Sequence, residues 1–141
     1  MLLTIEKVMV LKSVHVFAGV PEDVLANLSS YLEETDVAAG EMVYEKGDLG
    51  DTMFIIVDGK ARVHDEARTF VELGARDFFG ELTTLDPEPH SASVSALEDT
   101  RLLGLHRDDL YELMSGYPEV LKGIIHELCN RLRGKRTEDN W

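Results

Sequence analysis

At 141 residues, with 44% hydrophobic and 29% charged side chains, the chain can fill one core and falls in the common size range of a single domain. Fourteen basic against 27 acidic residues give a formal charge of -13, which opposes binding to the phosphate backbone of nucleic acids. The single cysteine, Cys129, excludes an intrachain disulfide and fits a reducing cytoplasm, while Glu6 and Lys7 interrupt the N-terminus and the longest apolar runs, Val8–Leu11 and Phe54–Val57, are far too short to span a membrane.

In chain order, Thr4 predicts the cap of a first helix, with Ile5, Val8 and Leu11 facing inward and Lys12 near its end. After Val16-Phe17, Pro21 suits the first position of a second helix, in which Val24, Leu25, Leu28, Tyr31 and Leu32 recur at helical spacing as one buried stripe. Short strands are predicted near 34–38, 41–45, 52–58, 60–64, 68–73, 92–97 and 101–106, separated by turn residues. Gly47 and Gly50 mark turns or tight approach, and Asp58-Gly59 between two apolar runs is a strong hairpin signal. Arg107-Asp108-Asp109 opens a helix with its acids near the positive end of the dipole; Leu110, Tyr111, Leu113 and Met114 form its apolar side, and Ser115-Gly116 stops it.

Pro118 starts the last helix, whose Val120, Leu121, Ile124, Ile125, Leu128 and Leu132 make a broad stripe. Cys129 lies beside that stripe and reads as a reduced core thiol. The basic cluster Arg131, Arg133, Lys135 and Arg136 complements the helix C-terminal dipole and solubilises the tail. Helices at both ends with short strands between them predict a mostly β protein: a β-jelly-roll barrel over about 34–106, N-terminal helical elements, and two C-terminal helices over about 107–134, all within one domain spanning 1–141.

Between the strands stand Phe79-Gly80-Glu81-Leu82-Thr83-Thr84-Leu85 and then Pro89-His90-Ser91-Ala92-Ser93-Val94. A glycine before a short helix exposes the first backbone N–H groups and lets an anion approach. Glu81 at the mouth of that turn suits ribose hydroxyls, which donate to an ionised carboxylate, and Leu82 is expected to anchor the turn inward. The two runs resemble the phosphate-binding cassette of cyclic nucleotide-binding domains, in which Phe-Gly-Glu opens a short helix and Pro-Arg-x-Ala-Thr/Ser-Val follows at the same spacing. Residues 40–63, with Gly47-Asp48-Leu49-Gly50-Asp51 and the later Asp58-Gly59, resemble the same family's glycine-punctuated strand region.

The resemblance implies a ligand site at Phe79, Gly80, Glu81, Leu82, Thr83, His90, Ser91, Ala92 and Ser93, with cyclic AMP or cyclic GMP as ligand and no cofactor. In the family the arginine pairs with the exocyclic oxygens of the cyclic phosphate, N–H groups at the positions of Thr83 and Ser91 complete the cradle, and the two last helices act as hinge and lid over the base. Here the arginine position holds His90. Histidine has an ordinary pKa near 6.5 and lacks the permanent charge and planar fork of arginine, so the exchange is expected to weaken a cyclic nucleotide by about one to two decades. A phosphate beside His90 would raise its pKa, so binding should strengthen as pH falls. The Ser91 hydroxyl can meet a phosphate or a guanine edge, which leaves both nucleotides open, and Trp141 is the large aromatic available to cap a base.

Catalysis and metal binding find no support in the pattern. His15, His64, His90, His106 and His126 are scattered, with no His-x-His pair or HExxH spacing, and the acids lack a distinctive paired arrangement. Two non-catalytic readings follow. One is a cytoplasmic sensor that couples ligand binding to its C-terminal helices and thereby to an effector domain or partner protein outside this chain, with homodimerisation through the terminal helices as a weaker expectation. The other is a non-binding interaction domain that keeps the fold after losing the arginine. The runs Leu3–Val8 and Leu97–Leu103 resemble bacterial versions that form modules of larger proteins.

Overall fold

In a computed structural model that describes residues 1–134, the chain runs α1 (Thr4–Ser13), a 3-10 turn (His15–Phe17), α2 (Glu22–Ser29), β1 (Glu33–Val37), β2 (Met42–Tyr44), β3 (Thr52–Asp58), β4 (Ala61–Asp65), β5 (Arg68–Leu73), β6 (Phe78–Phe79), α3 (Glu81–Leu85), β7 (Ser93–Ala96), β8 (Thr100–His106), α4 (Arg107–Gly116) and α5 (Pro118–Leu132). The strands form two four-stranded antiparallel sheets, ordered β1-β8-β3-β6 and β2-β7-β4-β5. This is the jelly roll with flanking helices that the pattern predicted.

The apolar run in β3 follows from burial of its sheet on both faces, since successive side chains of a strand point to opposite sides. Met53 and Ile55, with Leu103 and Leu105 of β8, join a cluster with Val8, Leu11, Phe17, Leu25, Leu110, Val120 and Ile124 from the helical elements. Ile56 and Leu102 point the other way, into the barrel, where they meet Val63, Leu73, Phe79, Ala92 and Val94. The helices therefore cover one sheet, and α5 lies against the 3-10 turn, where a Cβ added at Gly123 would come within 2.9 Å of a Val16 methyl.

Several local expectations are corrected. The N-cap of α1 is Leu3, whose N–H donates to the Glu6 carboxylate at 2.9 Å, so Thr4 is already helical. Ile5 is exposed rather than inward, because α1 buries only the side carrying Val8, Val10 and Leu11. Pro21 is the N-cap of α2, and α2 ends at Ser29, so Tyr31 leaves the stripe and is exposed while Leu32 stays buried. On α5, Val120 and Ile124 are buried, but Leu121, Ile125 and Leu132 are exposed: the helix rests on its neighbours along a narrower line than its apolar stripe. Cys129 is half-buried at the edge of that line. Lys135, Arg136 and Trp141 lie outside the described residues.

Candidate functional site

The site begins where β6 runs out. Phe79 pairs with Phe54 across β3 and is fully buried, its ring 5.4 Å from that of Phe54 and 5.9 Å from that of Tyr44. The next residue turns the chain with φ of 83°, which glycine adopts without penalty, and a Cβ there would lie 2.8 Å from the Thr52 carbonyl oxygen. Gly80 is thus required by both dihedral and space. Its carbonyl accepts the Thr84 N–H at 3.2 Å and the Thr84 hydroxyl at 2.8 Å, closing the turn of α3. Glu81, Thr83 and Thr84 are buried, whereas Leu82 is 38% exposed at the mouth and does not anchor the turn inward as expected.

The backbone of His90 is fixed by a reciprocal pair, its N–H donating to Asp48 O and its carbonyl accepting from Gly47, each at 2.9 Å. Its side chain packs inward, only 7% of the residue being exposed. The imidazole stacks on Tyr44, centroids 3.5 Å apart and planes 7° off parallel, and its Nδ1 is hydrogen-bonded to the Thr83 hydroxyl at 3.0 Å. Gly50 makes room for the other edge of the ring: a Cβ there would sit 2.7 Å from Nε2. Burial pushes the His90 pKa below its usual value, with the Asp48 carboxylate opposing that shift, so the ring is neutral at pH 7.

Gly80, Glu81, Leu82, Thr83, His90, Ser91 and Ala92 converge on one small cavity, together with Tyr44 and Val63. It measures about 20 Å³, room for roughly one water. Among the described residues no lysine or arginine lines it. Phe79 and Ser93 stand apart: Phe79 is a core ring, and the Ser93 hydroxyl accepts the Lys46 N–H at 2.8 Å. Tyr44 and Val63 escaped the sequence reading, because nothing in an ordinary strand pattern marks which aromatic will stack on a loop residue. Gly50→Ala is expected to expel the imidazole from its slot, since the atom it meets ends a side chain that can rotate. The His90 pKa should then rise toward 6.5 at a stability cost of about 1–2 kcal/mol; an unchanged histidine titration by NMR would contradict this packing.

Below the site, His106 ends β8. Its Nε2 donates to the Glu33 carboxylate at 2.8 Å, and its Nδ1 lies 3.2 Å from the Thr52 hydroxyl and 3.7 Å from Asp51. The Glu33 hydrogen bond, aided by the charges of Glu33, Asp51 and Asp109, raises its pKa against a smaller effect of burial. A raised histidine pKa contributes stability that is full below about pH 6.5 and lost as pH rises through the folded value. For His90 the sign is opposite: its contribution is present above about pH 6.5 and lost as pH falls through its lowered value. His106→Gln should therefore reduce the loss of urea stability between pH 6 and pH 8; an identical profile in wild type and variant would sink the assignment.

The remaining histidines bear no site. His64 is buried, donating through Nδ1 to the Glu66 carbonyl at 2.8 Å and accepting at Nε2 from the Ser95 hydroxyl at 2.7 Å. Among the described residues no group of three or more His, Cys, Asp or Glu could hold a metal ion. No helix among them is long and apolar enough to cross a membrane.

Two packed antiparallel sheets, a glycine-opened short helix beside a small cavity and a pair of helices leaving the last strand define the class of jelly-roll domains with flanking helices. The family model of the cyclic nucleotide-binding domain matches residues 34–117, and the chain belongs to that family. It is 32% identical over 130 residues to a CRP-like cAMP-activated global transcriptional regulator of Mycobacterium tuberculosis, covering 89% of this chain and 57% of that protein. It is 39% identical over 102 residues to a cyclic nucleotide-gated potassium channel of Rhizobium etli, covering 72% of this chain and 28% of that one. The crystal structure of a cyclic nucleotide-binding domain from Methylobacillus flagellatus superposes with a TM-score of 0.77 at 26% identity, over 92% of this chain and 78% of that chain. The chain thus spans about half of the regulator and under a third of the channel, and both names are those of regulated or regulatory proteins.

Proposed function

We propose that this chain is the sensor module of a larger cytoplasmic signalling protein. It takes cyclic AMP or cyclic GMP in the cradle around Gly80, Glu81, Thr83 and Ser91, with affinity weakened by His90, and passes occupancy to α4 and α5. The observation that carries this reading is the convergence of those residues on one cavity beside a left-handed Gly80 and a buried Glu81. Ligand entry requires the cavity of about 20 Å³ to open; a ribose hydroxyl donating to Glu81 and a phosphate facing the α3 turn would then use what it presents. The effector is a domain or partner beyond this sequence, as the DNA-regulating and channel relatives suggest by their names.

A second reading has its own support. The His90 ring is stacked on Tyr44, and among the described residues no lysine or arginine lies in the wall of the small cavity. Those features favour a non-binding interaction domain that has kept the fold. Titration calorimetry with both nucleotides at pH 6 and pH 8, on wild type and His90→Arg, separates the two. Saturable wild-type binding, tighter at pH 6, supports the sensor. Binding by His90→Arg alone marks an intact cradle that has lost its phosphate grip, and no binding by either protein leaves the interaction domain.

A further inference from the structure

A helix of five residues cannot satisfy or hold itself, because its last carbonyls have no partner within the helix. In α3 those carbonyls are taken by α4. The Arg107 guanidinium donates through Nε to Thr84 O at 2.8 Å and through Nη2 to Thr83 O at 3.0 Å, and Nη2 also reaches Gly50 O at 3.1 Å. One turn further along α4, the Tyr111 hydroxyl donates to Leu85 O at 2.6 Å. The Arg107 N–H donates to Asp51 O at 2.8 Å, tying the start of α4 to the same loop.

Arg107 is misplaced by the rule of its own helix. A cation in a first turn opposes the local dipole, which Asp108 and Asp109 complement instead. The guanidinium serves another helix: it sits at the C-terminal, negative end of α3, and its rigid planar fork spans several carbonyls in a fixed geometry. Thr83 joins this arrangement to the site, its carbonyl accepting from Arg107 and its hydroxyl bonded to His90. Gly50 does likewise, accepting from Arg107 while the His90 edge packs beside it.

We propose that Arg107 and Tyr111 are positioning residues that latch α3 to α4, so that displacement of the ligand cradle and displacement of α4 are one motion. By reciprocity, a partner that holds α4 then sets the shape of the cradle. The latch deepens the sensor reading and rests on it only for what moves α3, because the hydrogen bonds join residues of this chain alone.

Amide hydrogen exchange on wild type, Arg107→Gln and Tyr111→Phe tests it. Without ligand, the Thr84 and Asp86 amides, which donate to Gly80 O and Leu82 O, should exchange about ten- to a hundredfold faster in Arg107→Gln and about fivefold faster in Tyr111→Phe. The β8 amides should stay within about twofold, the expectation for opening confined to α3. Unchanged α3 exchange in both variants overturns the latch, as does an equal acceleration of β8 in both. With saturating cyclic AMP, α4 exchange should respond in wild type and not in Arg107→Gln; a response of equal size in the variant also overturns it. If calorimetry finds no nucleotide bound to wild type, the sensor reading fails, while the latch is decided by the ligand-free exchange.

Discussion

Replacing His90 with arginine is expected to tighten the binding of cyclic AMP or cyclic GMP by about ten- to a hundredfold. The estimate is that of one charged hydrogen-bonding partner, roughly 1.5–3 kcal/mol, added to a cradle whose cavity wall carries no lysine or arginine among the described residues. The loss of the present slot falls on folding and not on binding, because the substitution removes it whether or not ligand is bound. His90 is held by its stack on Tyr44 and its bond to Thr83, contacts worth together about 1–3 kcal/mol. The variant should accordingly bind better and fold less stably, a pairing that calorimetry and urea denaturation can read on one sample. Gain of affinity should also remove the pH dependence between pH 6 and pH 8, since arginine stays charged throughout. Tighter binding that kept the wild-type pH dependence would show that some other group, and not residue 90, meets the phosphate.

Gly80→Ala is expected to cost about 2–5 kcal/mol of stability. A left-handed alanine is penalised by about 1–2 kcal/mol, and its methyl group would lie 2.8 Å from the Thr52 carbonyl oxygen. That oxygen belongs to the backbone at the start of β3, a strand paired on both sides with β6 and β8, so relief requires shifting the sheet. Overpacking of this kind adds about 1–3 kcal/mol. For a domain of this size the melting temperature should fall by about 5–15 °C. Gly74→Ala is the control, because a Cβ there meets nothing within 4 Å and the backbone conformation is ordinary. A loss at Gly80 no larger than at Gly74 would mean that the turn into α3 is soft.

The strands β3 and β5 were legible to the residue, and the hairpin at Asp58-Gly59 lies where its turn signal placed it. These elements carry their instructions locally, in alternation, β-branched content and turn chemistry. β6 carried none: two phenylalanines have no period, and they become a strand only because Phe54 and Ile55 lie alongside. Leu82 and Tyr31 were misplaced for a related reason. An apolar residue in a helical pattern is drawn inward only where another element arrives to cover it, and among the described residues none covers either position.

At the site the division is the same. Sequence alone determined the class of fold, because alternation, turn chemistry and helical spacing depend on residue type at short range. Only the tertiary structure decided that His90 turns inward on Tyr44, where burial lowers its pKa, and that Arg107 serves the far end of α3 rather than its own helix. The physical reason is that stacking, burial and hydrogen bonding to carbonyls depend on which distant segments meet. Tyr44, Thr83 and Gly50 reach His90 from separate stretches of the chain, and the carbonyls that Arg107 binds have no side-chain signature at all.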